Sequence, residues 1–169
     1  MTHGRHPRRP HPINANPFGA ALRQAACLTP QERAETMAAA RQCEKRLREG
    51  VASEEHHTVL YTVLLLALGI EDAGIVRGLR GHFDAALVAM ASIRARACPG
   101  NVWRPTALHY YEIDAIREAV DLHEYQLRQV SAGELHAITK KLMARTLSTG
   151  GAVERRSLAE LGLGMGVRA

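Results

Sequence analysis

Aromatic side chains and cysteines are scarce in this chain. One Trp, two Phe and four Tyr make up 4% of the 169 residues, and the only cysteines are Cys27, Cys43 and Cys98. A core that is poor in aromatic and β-branched residues but rich in Ala and Leu favours helix over sheet. Because the cysteines are odd in number and form no Cys-x-x-Cys pair, they argue against a disulfide framework and against a thiolate zinc site.

Sequence motifs for catalysis are also missing. The chain has no G-x-S-x-G turn, and its glycines at 74, 78 and 81 do not follow a predicted strand, so they do not form a phosphate-binding loop. Glu54 and His57 form a single Glu-x-x-His pair, whereas di-iron helix bundles carry two such pairs and further glutamates. We therefore interpret this pair as the capped first turn of a helix with an exposed His56–His57 pair. The sequence predicts no enzyme activity, no cofactor, no metal and no small-molecule substrate.

Long apolar runs are limited to one stretch, residues 59–69. It is apolar all round apart from Thr62, which is typical of a buried helix, and it is well short of the ~20 residues that cross a bilayer. The N-terminus is basic and has no apolar run, so it is not a secretory signal. We expect this stretch to be the central helix of a cytoplasmic protein that does not bind membranes.

Capping signals and apolar stripes place further helices around this one. Thr29, Pro30 and Glu32 form a capping box, and Ser131 and Glu134 form another. Gly69 is predicted to end the central helix, and the glycines that follow are predicted to mark a kink or a close helix crossing. The five predicted helices begin at or near Thr29, Ser53, Glu71, Thr106 and Ser131, and the fourth is predicted to run to about Gln129.

The fold class is therefore all-α, a single compact domain of about five helices with a buried central helix. Residues 1–28 are predicted to be a basic, Pro- and His-rich arm that is mostly disordered, because prolines at this density block helix. Residues 29–149 form the helical domain. Residues 150–169 are predicted to be a flexible, Gly-rich tail, in which Leu158, Leu161 and Leu163 can dock on a partner.

The net charge of +5 is unevenly distributed along the chain. Basic stretches alternate with net acidic ones at 24–76 and 105–130. Segregated charge can steer a nucleic acid, but it is equally compatible with complementary faces of neighbouring helices or with a homo-oligomer contact. The arginines that a nucleic acid would use are Arg5, Arg8 and Arg9 in the arm and Arg77, Arg80, Arg94, Arg96 and Arg104 in the 77–104 stretch.

Three side chains are candidates for contacts with a partner protein. Trp103 lies in a Pro- and Gly-containing linker, where it is either a contact site for a partner or a base, or a lid over the edge of the core. His123 lies within an apolar row of the fourth helix, where it is either a pocket histidine or a satisfied core histidine. Tyr125 follows it on the same helix.

Residues 119–127 (AVDLHEYQL), followed by a short turn and the capped last helix, are similar to a known group. Together with the basic, proline-rich opening through Asn16–Pro17, this layout resembles small helical proteins of proteobacterial phages and prophages. The similarity covers about Arg48 to Leu147, and Glu124 stands where the group would have Asp. The resemblance implies expression in a bacterial host cell, but no activity is assigned to that group.

These observations predict a phage-type, non-catalytic helical protein. It is expected to act through protein–protein contacts, either with itself or with a host or phage protein, using an apolar helix face or the acidic fourth helix. The alternative is a weak, sequence-tolerant nucleic-acid-binding module that uses the basic arm and the 77–104 stretch, mostly on phosphates.

Overall fold

The computed structural model describes residues 16–149, and within this range it contains α-helices and no strand. The predicted all-α fold, a single compact domain, is confirmed. In chain order the helices are α1 (Pro17–Ala25), α2 (Pro30–Arg48), α3 (Glu54–Asp72), α4 (Arg80–Ala97), α5 (Tyr110–Gln126) and α6 (Ala132–Ser148).

The predicted helix starts at Thr29, Ser53 and Ser131 are confirmed. In both predicted capping boxes the hydroxyl accepts the N–H three residues later, and the Glu side chain accepts the cap's own N–H. At Ser53 the third helical residue is His56, whose ring takes the place of the usual Glu side chain. These starts follow from contacts within one turn, which is why local sequence identifies them.

Helix α3 is the central helix, as predicted. It packs against α2, α4, α5 and α6, and its most buried side chains, Leu60, Leu64 and Ile70, are wholly shielded from solvent. None of the helices in the described range is both long and apolar enough to cross a membrane.

The predicted boundary between α3 and α4 is wrong. Gly69 does not end α3, which continues to Asp72, and the following helix begins at Arg80 instead of near Glu71. Gly74 and Gly78 adopt φ of 75° and 90°, and these left-handed conformations interrupt the helix between α3 and α4. The Glu71 carboxylate accepts hydrogen bonds from the backbone N–H groups of Gly78, at 3.0 Å, and Leu79, at 3.2 Å, near the start of α4.

The predicted start of α5 at Thr106 is also wrong, and so is its end. His109 is the N-cap, its backbone N–H donates to Glu112 Oε2 at 2.8 Å, and the helix ends at Gln126 instead of Gln129. Arg96 of α4 holds the same carboxylate, so a partner on another helix fixes where α5 begins. Thr106 lies in the segment without regular secondary structure that precedes it.

A further helix lies where the sequence analysis placed a mostly disordered arm. Pro17 occupies the first turn of α1, and the Asn16 side chain accepts the N–H of Phe18 at 3.1 Å. Helix α1 packs against α6, and the Ala132 N–H donates to the Ala26 carbonyl at 3.0 Å. The predictions for Arg5, Arg8 and Arg9 and for residues 150–169 concern positions outside the described residues.

Candidate interaction groove

Helix α6 covers one side of α3 without being buried itself. Seven residues of α3 are buried, whereas α6 has none. Leu135 and Ile138 of α6 are partly buried against the core. The apolar side of the central helix is therefore covered incompletely along α6.

An open groove of about 320 Å³ lies between α3 and α6. Leu65 and Leu68 line it from α3, and Ile138 and Leu142 line it from α6. Gly69 forms part of its floor, and a Cβ at that position would lie 2.7 Å from Ile138 Cγ2. Because Gly69 has no side chain, α3 and α6 can cross closely at this point. The groove lies beside this crossing.

The α6 edge of the groove is basic. Lys141 and Arg145 line it, and Lys140 precedes them on the same helix. The one acidic residue of α6, Glu134, is held in the capping box at the other end of the helix. On the α3 side Asp72 lines the groove and pairs with Arg80. An anionic ligand would therefore be attracted to α6.

Large apolar side chains are exposed on the two helices of this flank. Met143 and Leu147 of α6 are 61% and 72% exposed, and Phe18 and Leu22 of α1 are 69% and 56% exposed. They are four of the nine large hydrophobic residues that are exposed within residues 16–149. Helices α1 and α6 pack against each other, so these side chains belong to the same flank of the domain.

His123 is a core residue, and its assignment as a partner contact is wrong. It is 1% exposed, and its Nδ1 lies 3.2 Å from Gln126 Oε1. The Gln126 amide in turn donates to the Ala67 carbonyl of α3 at 3.1 Å. Burial lowers the pKa of His123 to about 4, against a smaller upward effect of Gln126. The ring is therefore neutral near pH 7, and it holds the Gln126 side chain, whose amide joins α5 to α3.

Trp103 is the lid over the core edge. Its ring is half-buried, its indole N–H donates to the Ala52 carbonyl at 2.8 Å, and it lies 5.4 Å from the His57 ring. The predicted exposure of His57 is wrong, because His57 is buried with Nε2 2.8 Å from the Met90 carbonyl oxygen. Tyr125 is 48% exposed and is the candidate of the three that solvent reaches most freely.

Ion pairs within the domain engage three of the five arginines in the 77–104 stretch. Arg80 pairs with Asp72, Arg94 pairs with Glu54, and Arg96 pairs with Glu112. No carboxylate lies within ion-pair distance of Arg77 or Arg104 in the part of the chain that is described. These pairs reduce the positive charge that the stretch can offer to phosphates.

The Arg96–Glu112 pair is the most buried of these. Glu112 is fully shielded from solvent, and its two oxygens accept from the guanidinium at 2.8 and 2.6 Å. Burial alone would raise the pKa of Glu112, but hydrogen bonds from Arg96 and from the His109 backbone bring the pKa below its usual value. A bidentate pair of this kind fixes the position of α5 against α4.

The acidic face of α5 is also partly occupied within the fold. Arg41 of α2 pairs with Asp121 and Glu124, both at 2.6 Å, and His82 of α4 lies 3.2 Å from Glu118. Part of the acidic surface that α5 was predicted to offer to a partner is therefore already paired with side chains of α2 and α4. Sequence reasoning missed these pairs because their members are far apart in the chain.

Comparison of the chain with protein-family models, curated proteins and solved structures gave no match. The resemblance to phage and prophage proteins therefore stays a prediction. Within residues 16–149, no group of three or more His, Cys, Asp and Glu side chains is placed to hold a metal ion.

Proposed function

We propose that this protein is a non-catalytic interaction module that binds an amphipathic helix of an acidic partner protein in the α3–α6 groove. The observation that carries the proposal is the incomplete cover of the central helix: α6 lies over α3 with no buried residue of its own and leaves an apolar groove beside Gly69.

The shape of the groove supports a helical occupant. Its volume of about 320 Å³ is at the small end of ligand pockets, which run from roughly 300 to 1,000 Å³. It is open to solvent and is bordered by two helices. Helix-in-groove recognition uses such surfaces, and the bound helix inserts apolar side chains spaced three or four residues apart.

The charge on α6 selects the partner. Lys140, Lys141 and Arg145 lie on the helix that forms one edge of the groove. Complementary charge speeds association and suppresses binding of basic competitors. We therefore expect the bound helix to carry Asp or Glu beside its apolar face. The phage-type resemblance leads us to seek this partner among bacterial host and phage proteins in the cytoplasm.

The test compares two substitutions in the full-length protein. Leu142→Glu places a charge in the groove, while Val102→Glu places the same charge on an exposed linker residue away from it. Each tagged variant and the wild type are used to capture proteins from nuclease-treated bacterial lysate. A captured protein is identified, purified and titrated back onto all three proteins.

We expect the purified partner to bind wild type and Val102→Glu equally, and Leu142→Glu at least about tenfold more weakly. Binding should also weaken with added salt, because the rim charges contribute. Equal binding to all three proteins would overturn the groove as the site. Capture of nucleic acid alone from a parallel lysate that has not been treated with nuclease would favour the nucleic-acid alternative instead.

A further inference from the structure

The outer face of helices α1 and α6 carries four exposed apolar side chains and two cationic ones: Phe18, Leu22, Met143, Leu147, Arg23 and Lys140. We infer that this outer face binds the surface of a membrane that contains anionic lipids. Its apolar side chains enter the boundary between headgroups and acyl chains, and its cations contact lipid phosphates. The outer face is separate from the α3–α6 groove and adds a membrane contact to the proposed protein–protein interaction.

Helix α1 lies on the side of α6 that faces away from the central helix. Gly133 of α6 meets α1, since a Cβ there would lie 3.0 Å from the Gln24 carbonyl oxygen. Ile138, which meets α3 at Gly69, comes five residues later and so lies about 140° around α6 from Gly133. Helix α1 has no buried residue of its own. It is therefore the outer layer of this flank.

Both helices present an apolar stripe to solvent. Phe18 and Leu22 are four residues apart, as are Met143 and Leu147, which places each pair on one side of its helix. Each of the four side chains is more than half exposed. Leu142, which lines the groove, lies about 140° around α6 from Leu147. The stripes therefore remain available when the groove is occupied.

The charge of the two helices favours an anionic partner. Helix α1 contains Arg23 and no acid, and Lys140 lies about two turns before Leu147 on the same side of α6. Glu134, the one acidic residue of α6, is held in its capping box. Within residues 16–149, no ion pair engages Arg23 or Lys140. Cations beside an apolar stripe are typical of helices that lie on anionic membranes.

A lipid surface suits this face better than a second copy of the chain. A two-fold contact between copies would bring the same cations together, which opposes association. The apolar side chains also project from two helices instead of lining the groove. The expectation that the protein does not bind membranes came from the lack of a spanning run, and a helix that lies on the surface needs none.

The experiment measures flotation of the full-length protein with vesicles. One set contains equal amounts of phosphatidylglycerol and phosphatidylcholine, and the other contains phosphatidylcholine alone. Wild type is compared with Phe18→Ser/Leu22→Ser, with the exchanged variant Phe18→Leu/Leu22→Phe, and with Val51→Ser/Val102→Ser, which changes two exposed apolar residues outside α1 and α6. Circular dichroism checks that each variant remains helical.

We expect wild type to bind the anionic vesicles and not the neutral ones. Phe18→Ser/Leu22→Ser should weaken binding at least about tenfold, because two large apolar side chains no longer enter the interface. The exchanged variant keeps the same apolar groups, so it and the Val51→Ser/Val102→Ser protein should bind as wild type does.

Two further variants test the α6 stripe and the cations. Met143→Ser/Leu147→Ser should also weaken binding, and Arg23→Gln/Lys140→Gln should weaken it at least about fivefold. Added salt should weaken binding of wild type because it screens the contacts with phosphates.

Equal flotation of wild type and Phe18→Ser/Leu22→Ser would overturn the inference, because charge elsewhere on the chain would then account for binding. Failure of wild type to bind anionic vesicles would overturn it in favour of an acidic protein as the partner of this face. A wild type that sediments as a dimer, with a Phe18→Ser/Leu22→Ser protein that sediments as a monomer, would overturn it in favour of contact between two copies.

Discussion

The two flanks of the central helix α3 are built differently. On one flank α4 contributes Phe83, Leu87 and Met90, all fully buried, and α5 adds Val120. On the other flank α6 contributes no buried residue, and a groove remains open. The first flank supplies most of the apolar burial that holds the fold together, while the second leaves apolar surface for a ligand.

Polar groups divide in the same way. Glu112, His123 and Gln126 are buried on the α4–α5 flank, and each forms a hydrogen bond within the domain. On the α6 flank the charged side chains Lys141 and Arg145 lie at the exposed edge of the groove. Substitutions should therefore change stability on the first flank and binding on the second.

Glu112→Ala tests the first flank with the largest expected effect. It leaves the Arg96 guanidinium without its carboxylate partner, and breaking a buried pair typically costs 3–5 kcal/mol. Because Arg96 keeps partial access to solvent, we expect a loss of about 3 kcal/mol in the free energy of unfolding, measured with urea. Glu118→Ala, an exposed change on the same helix, should cost under about 0.5 kcal/mol. Equal losses for the two variants would remove the distinction between the buried pair and the helix surface.

The buried His123 makes stability depend on pH. Its pKa is about 4 in the folded protein, below the ordinary value of 6.5, so the unfolded chain binds more protons between these values. The stability due to the neutral ring is fully present above pH 6.5 and is lost as pH falls towards 4. Between pH 7 and 5 this single group should remove about 2 kcal/mol from the free energy of unfolding.

The check is a comparison of unfolding free energies at pH 7 and pH 5 for three proteins. His123→Gln should lose this part of the pH dependence, whereas the exposed His136→Gln should keep it. An unchanged pH dependence in His123→Gln would show that other groups cause it.

Ser131→Ala tests the second flank with a moderate effect. It removes the hydroxyl that caps α6, which typically costs about 1 kcal/mol. Because α6 has no buried residue, we expect faster amide hydrogen exchange in α6 while the slowest amides of α3 keep their rates. Thr29→Ala removes the matching cap of α2. Because Met37, Ala40 and Leu47 of that helix are buried, this change should instead speed exchange throughout the protein. Faster exchange throughout the protein after Ser131→Ala would contradict the separation of the two flanks.

Met143→Ser/Leu147→Ser should have the smallest effect on stability. Both side chains are exposed, so the free energy of unfolding should change by no more than about 0.5 kcal/mol. Neither residue lines the α3–α6 groove, so affinity for the helical partner, measured by titration, should also stay unchanged. Val51→Ser, an exposed apolar residue before α3, is the matched control and should leave that affinity unchanged. A large loss of stability would show that this side of α6 belongs to the core.

Helix starts could be predicted where the signal is local. The Thr29–Glu32 and Ser131–Glu134 boxes each satisfy their backbone groups within one turn, so the sequence contains the whole interaction. The start of α5 differs, because Glu112 is held by Arg96 sixteen residues earlier in the chain. Such a partner becomes visible only once α4 and α5 are side by side.

The groove could not be predicted for a related reason. The apolar stripe of α6 was visible in the sequence, but whether a stripe is buried depends on how closely two helices cross. Gly69 illustrates this: the sequence suggested a helix end, whereas the structure uses the missing side chain for contact with Ile138. For Trp103 and His123, sequence reasoning did state the correct alternative, and hydrogen bonds to Ala52 and Gln126 decided it.

The link between Ala26 and Ala132 has a consequence for how the molecule opens. It joins the loop after α1 to the start of α6, so the two peripheral helices are connected although they lie at opposite ends of the described chain. Regions of low burial open in cooperative units before the rest of a protein unfolds. Helices α1 and α6 should therefore detach together, as one early-opening unit, while α2 to α5 stay folded around the buried polar groups. Such a partial opening would expose the apolar face of the central helix without global unfolding.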